Sequence, residues 1–119
     1  MRTFRFLEWQ MYIDSQNLFT EVLAIVKRIP REYRFELGSQ IIRSALSITL
    51  NIAEGSGKAS NKDLGNYLNI ALGSLYETVA NIDTLRINAF INQKECAVLH
   101  EKMLGIAKQL GGFRKRILQ

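Results

Sequence analysis

The sequence predicts an all-α protein, an antiparallel up-down-up-down four-helix bundle. Three observations carry this prediction. Apolar residues recur at intervals of three and four rather than two, so each stripe stays on one helical face. Capping and breaking residues divide the chain into four such segments. The joints between segments are short, which favours antiparallel neighbours.

The first helix is expected from about Leu7 to Ile29, with Tyr12, Phe19, Val22, Val26 and Ile29 facing inward. Pro30 ends it, because proline has no N–H to donate one turn back. The stretch "PREYRFELG" then reads as an irregular turn into the second helix. That helix carries Ile41, Ile42, Ala45, Leu46, Ile48, Leu50, Ile52 and Ala53 around much of its circumference, the mark of a helix buried on more than one side. Gly55 and Gly57 are expected to stop it, since glycine enters the left-handed conformation without a side-chain clash.

"SNKD", Ser60 to Asp63, places a capping hydroxyl at the start of the third helix, and "NQKE", Asn92 to Glu95, forms a capping box at the start of the fourth. The third helix has the inward stripe Leu64, Leu68, Ala71, Leu75, Thr78, Ile82 and Leu85. The fourth has Leu99, Met103, Ile106, Leu110, Phe113 and Ile117, stepping by four, three, four, three and four.

Composition bounds the function. The 119 residues suffice for a single domain, 1–119, with one core. A formal charge of +5 and a pI near 9.6 favour an acidic partner. Cys96 is the only cysteine and His100 the only histidine, so neither a disulfide nor a structural zinc site is expected, and no cofactor is implied. The two residues lie four apart and read as a partly buried thiol beside a solvated imidazole. The start, "MRTFRFLEWQ", reaches Glu8 before any useful apolar run, and no apolar stretch is long enough to span a bilayer. The expectation is a cytoplasmic protein of a reducing compartment, with no membrane partner.

"EGSGKAS" invites comparison with a phosphate-binding loop and fails it. Ile52 stands where the first glycine belongs, Ala59 follows Lys58 in place of Ser or Thr, and the preceding segment is helical rather than a strand. It reads as a tight interhelical turn. No nucleophile, base and orienting group share a spacing that suggests catalysis, so the chain is expected to be no enzyme.

A polar stripe runs through the apolar second helix: Arg43, Ser47, Asn51 and Glu54. The third helix aligns Ser74, Glu77 and Asn81, beside a Gly73 that would permit close backbone approach. Folding the two helices about their turn brings Arg43 within reach of Glu77. The groups are expected to satisfy one another in a half-buried seam. The alternative is that Arg43, Asn51, Glu54 and Glu77 line a ligand groove or an active site.

These residues also carry a family resemblance. "QIIRSALSITLNIAEGSGKAS", Gln40 to Ser60, followed by "YLNIALGSLYE", Tyr67 to Glu77, resembles the four-helix-bundle proteins encoded in intervening sequences of bacterial 23S ribosomal RNA genes. Gln40, Arg43, Ser47, Ile48, Asn51, Ile52, Ala53, Glu54, Gly55, Gly73, Ser74 and Glu77 match the pattern; Thr49 departs from it, where many relatives carry proline. The resemblance implies a homo-oligomeric ring, a pentamer, and kinship with the accessory protein of diversity-generating retroelements, a basic ring that engages nucleic acid and a reverse transcriptase. It implies no catalytic residue.

An up-down bundle gathers both chain ends and the second turn at one pole. Arg2, Arg5, Lys58, Lys62, Arg114, Lys115 and Arg116 fall there, against Glu8, Glu54 and Asp63. The other pole has Lys27, Arg28, Arg31, Arg34, Arg86 and Lys94 against Glu32, Glu36 and Glu95. The first set is the predicted nucleic-acid contact, to RNA or DNA backbone rather than to bases, because no aromatic is interleaved with the charges in a stacking arrangement. Leu72, Tyr76 and Val79, exposed on the third helix, predict subunit contact. The leading expectation is therefore a non-enzymatic oligomer that binds nucleic acid. The alternative is a protein-interaction scaffold for a polymerase or another element-encoded partner.

Overall fold

The computed structural model describes residues 4–119. Among them a short 3-10 turn, Arg5–Glu8, leads into four helices: α1 (Gln10–Val26), α2 (Arg31–Ser56), α3 (Asn61–Ile87) and α4 (Gln93–Ile117). Each packs antiparallel on the next, and α4 closes back on α1, giving the four-helix bundle expected, 44 × 25 × 22 Å. The described residues include no strand.

The capping chemistry fixes two of the starts. Ser60 accepts a hydrogen bond from the Asp63 amide at 3.1 Å. Asn92 and Glu95 form the reciprocal capping box, with Glu95 N–H donating to Asn92 Oδ1 at 2.8 Å and Asn92 N–H to Glu95 Oε1 at 3.2 Å. The buried stripe of α3 contains the seven residues expected together with Gly65, and that of α4 is Leu99, Met103, Ile106 and Leu110, with Phe113 and Ile117 half-buried at its end.

Three expectations about the first half of the chain are corrected. The segment "PREYRFELG" is helical rather than irregular: Pro30, at φ −51°, caps α2, and helix begins at Arg31. A proline ends the helix behind it while its fixed φ suits the start of the next. Helix α1 stops at Val26, and Lys27 to Ile29 form tight turns whose carbonyls, at Lys27 and Ile29, accept from the Arg34 guanidinium at 3.0–3.1 Å.

Of the inward residues expected in the first segment, Val22, Val26 and Ile29 are buried, but towards the start of α1 the stripe is shifted by one position, to Met11, Ser15 and Leu18. Tyr12 and Phe19 flank it, half-buried. Ser15 can occupy the core because its hydroxyl donates to the Met11 carbonyl at 2.6 Å.

Helix α2 does not end on a left-handed glycine. No glycine among the described residues has positive φ; Gly57 is right-handed at φ −88°, and Gly55 lies buried inside the helix. With Thr49 in place of proline, α2 runs unbroken for 26 residues, and the Thr49 hydroxyl is satisfied by the Leu46 carbonyl at 2.7 Å.

Candidate nucleic-acid interface

The terminal pole assembles from three chain segments. The 3-10 turn brings Arg5 to the end of α2, where its guanidinium donates to the Ser56 carbonyl at 3.0 and 3.2 Å. From the last turn of α4, Arg114 donates to the Gly65 carbonyl of α3 at 3.2 Å. Arg5 thereby satisfies a carbonyl at the C-terminus of α2, where a cation is favoured, whereas the Gly65 carbonyl lies near the start of α3. The partners of both arginines are neutral, so their charge is not cancelled. Lys58, Lys62, Lys115 and Arg116 are exposed at the same end. Among the described residues no ion pair involves any of these six cations. Arg2 lies outside the described residues.

The opposite pole differs in kind. Arg28 pairs with Glu95 and Arg86 with Asp83 at 2.8 Å, while Arg34, like Arg5 and Arg114, donates to neutral backbone carbonyls and keeps its charge. The Asp83 carboxylate holds the Arg86 guanidinium above its ordinary value, chiefly through the hydrogen bond. Lys27, Arg31 and Lys94 are exposed there, as are Glu32 and Glu36. At the terminal pole Glu8, Glu54 and Asp63 are exposed but pair with none of its cations, so its excess of cations over carboxylates is left open to a partner.

Contrary to expectation, aromatics accompany the charges. The Arg5 guanidinium lies over the Trp9 ring at 5.1 Å, Lys58 over Tyr67 at 5.1 Å, and Arg116 over Phe113 at 5.2 Å. Trp9 and Phe113 meet with ring centroids 5.0 Å apart and planes tilted by 59°. They wall a groove of about 420 Å³ between the start of α1 and the last turns of α4. Sequence reading missed it because Trp9 and Phe113 are 104 positions apart and meet only when α4 closes on α1.

The α2–α3 polar cluster divides in two. Ser47 and Ser74 share a hydrogen bond of 2.7 Å between hydroxyls, and Asn51 donates to the Ser47 carbonyl and hydroxyl at 2.8 and 3.0 Å. One turn away, Thr78 and Asn81 both donate to the Ser44 hydroxyl, at 2.9 and 3.2 Å. Arg43, Glu54 and Glu77 take no part: all three are exposed, and the expected Arg43–Glu77 ion pair is not formed. Gly73 makes no close approach within the chain, since a Cβ built on it would meet nothing within 4 Å. Cys96 is half-buried and His100 exposed, as expected, and no group of three or more His, Cys, Asp or Glu among the described residues could hold a metal ion. No described helix is long and apolar enough to cross a membrane.

The family model for 23S rRNA-intervening sequence proteins matches residues 8–112. The chain belongs to that family. Its bundle superposes on the crystal structure of a protein of unknown function from the S23 ribosomal protein family of Bacteroides thetaiotaomicron, with a TM-score of 0.81 and 26% identity, covering 88% of this chain and 98% of that one. No curated protein matches the chain. The stretch matched to the 23S rRNA-intervening sequence family includes the α2–α3 polar seam, Lys58 and Lys62, whereas Arg2, Arg5, Arg114, Lys115 and Arg116 lie outside it. Most of the basic pole is thus read from outside the matched stretch.

Proposed function

We propose that this 23S rRNA-intervening sequence protein binds the phosphate backbone of nucleic acid through its terminal pole, as a binding protein without catalytic activity. One observation carries the reading: Arg5, Lys58, Lys62, Arg114, Lys115 and Arg116 share one end of the bundle with no carboxylate paired to any of them, whereas at the other end Arg28 and Arg86 are held in ion pairs. Unneutralised charge at one tip is what a polyanion selects. Mobility shifts with RNA and DNA at two salt concentrations test it. Contact with about four phosphates would weaken binding roughly a hundredfold between about 50 and 200 mM salt. Unchanged mobility of both nucleic acids at low salt would refute the proposal.

Self-association belongs to the same reading. Leu50 and Ile70 are 56% and 51% exposed along the outer α2–α3 seam, and Tyr76, at 68%, stands with Leu104 over an apolar groove between α3 and α4. Leu72 and Val79, expected to be exposed, are half-buried against the core and add little. Two separate apolar patches flanking α3 suit a ring, in which each subunit offers different surfaces to its two neighbours. The family resemblance implies five subunits. Light scattering is expected to return a multiple of 13.6 kDa. A ring would repeat the basic pole around its axis and multiply its phosphate contacts.

A further inference from the structure

The groove between α1 and α4 has a composition that backbone binding alone does not require. Trp9, Phe113, Lys108 and Arg116 line it, with Arg5 over the Trp9 ring and Arg116 over the Phe113 ring. Gly112 lies in its lining, and a Cβ built there would meet nothing within 4 Å, so the space beside it is open. Gln10 and Gln109 also line it, each with its amide nitrogen held by one oxygen of Asp14 at 2.8 Å. That arrangement spends one N–H of each amide on Asp14 and leaves both carbonyl oxygens as acceptors. Aromatic faces, two cations and two oriented acceptors thus adjoin a space of about 420 Å³, near the lower end of the range for small-molecule pockets.

We propose that this groove holds one unpaired nucleotide of a single-stranded nucleic acid. Its base stacks against the Trp9–Phe113 pair and its phosphate lies between Lys108 and Arg116. The inference rests on the backbone-binding reading and adds the strandedness of the ligand to it. In a duplex the base faces are covered by neighbouring pairs, so only an unpaired base can offer its π-face to a side chain. Arg116, seated over Phe113 with no carboxylate partner, is displaced by the incoming base and freed for the phosphate. The free carbonyl oxygens of Gln10 and Gln109 match an exocyclic amine, such as that of adenine.

Trp9 is the only tryptophan, so its fluorescence reports on the groove. The full chain is titrated with an oligoadenylate octamer, an abasic octamer carrying the same number of phosphates, and a duplex of equal length. Stacking of one base predicts quenching by the oligoadenylate and affinity roughly tenfold to a hundredfold above that of the abasic strand. Equal affinities without quenching, or a duplex bound more tightly than the single strand, would overturn the groove assignment and leave backbone binding intact. Failure of all three to bind at low salt would overturn both. Phe113→Leu, checked for folding by thermal melting, is expected to keep the abasic affinity and lose the increment due to bases; an increment that survives the substitution counts against the site.

Discussion

Gly55 of α2 packs against Tyr67 of α3 so closely that a Cβ on the glycine would lie 2.8 Å from the tyrosine Cβ and 3.1 Å from Leu64 Cδ1. The tyrosine Cβ is fixed to its helix backbone and cannot swing away, so Gly55→Ala must push the two helices apart. Overpacking of this kind costs about 1–3 kcal/mol, more than the gain of about 1 kcal/mol from replacing glycine in a helix. A melting temperature several degrees lower is expected by circular dichroism. Gly111 provides the control: nothing lies within 4 Å of a Cβ there, so Gly111→Ala is expected to stabilise the fold by about 1 kcal/mol.

Gly55 also shows where sequence reading reached and where it stopped. Helical periodicity gave the α3 and α4 stripes residue by residue, because those helices each bury one face and carry few polar residues on it. Capping placed their starts, since Ser60 and Asn92 act locally. A glycine next to a turn, however, has two physical uses, left-handed backbone and close approach, and they differ only in what lies opposite. Tyr67 and Leu64 come from another helix, so the sequence could not choose between them. The same limit hid the buried Ser15 and the Trp9–Phe113 groove. For Arg43 and Glu77 the register was foreseen, but both side chains reach water, where an ion pair gains little.

Ala89 ends α3 with φ 64°, the only non-glycine residue of positive φ among those described. It turns the chain so that the Phe90 amide reaches the Leu85 carbonyl at 2.8 Å and the Ala89 amide the Arg86 carbonyl at 3.0 Å, a Schellman-type ending. A side chain in this conformation costs about 1–2 kcal/mol. Ala89→Gly removes that cost and loses part of it again through the greater freedom of the unfolded chain. A net gain of about 0.5–1 kcal/mol is expected in urea unfolding, and a loss of stability would contradict the assigned ending.

Glu95 links the capping box to the opposite pole. The Arg28 guanidinium, and after it the Asn92 amide, hold its carboxyl below the usual 4.5. The unfolded chain therefore takes up a proton at higher pH than the folded one, so the contribution of Glu95 is present above about pH 4.5 and is lost as pH falls through the lower folded value. Glu95→Gln keeps an acceptor for the Asn92 amide but carries no titrating charge. Between pH 6 and pH 3 its urea midpoint is expected to fall less than that of the unaltered chain. Equal falls would show that the carboxylate has no part in acid sensitivity.

The two poles make opposite demands on a charge-reversal experiment. Lys115 and Arg116 are exposed, bind no backbone carbonyl and face no carboxylate partner, so Lys115→Glu with Arg116→Glu removes two cations and adds two anions at a folding cost confined to the last turn of α4, which thermal melting measures. Arg5 and Arg114 are unsuitable because each satisfies a helix carbonyl, and their loss would mix stability with binding. Each phosphate contact removed lowers the salt slope of binding by about 0.7 for single strands and 0.9 for duplex. The double variant is thus expected to lose roughly two contacts' worth of slope. Lys27→Glu with Lys94→Glu makes the same change of net charge at the far pole, and there the slope should hold. A general dependence on net charge would make the two variants alike, so their difference, measured as log affinity against log salt, separates a local interface from a merely basic protein.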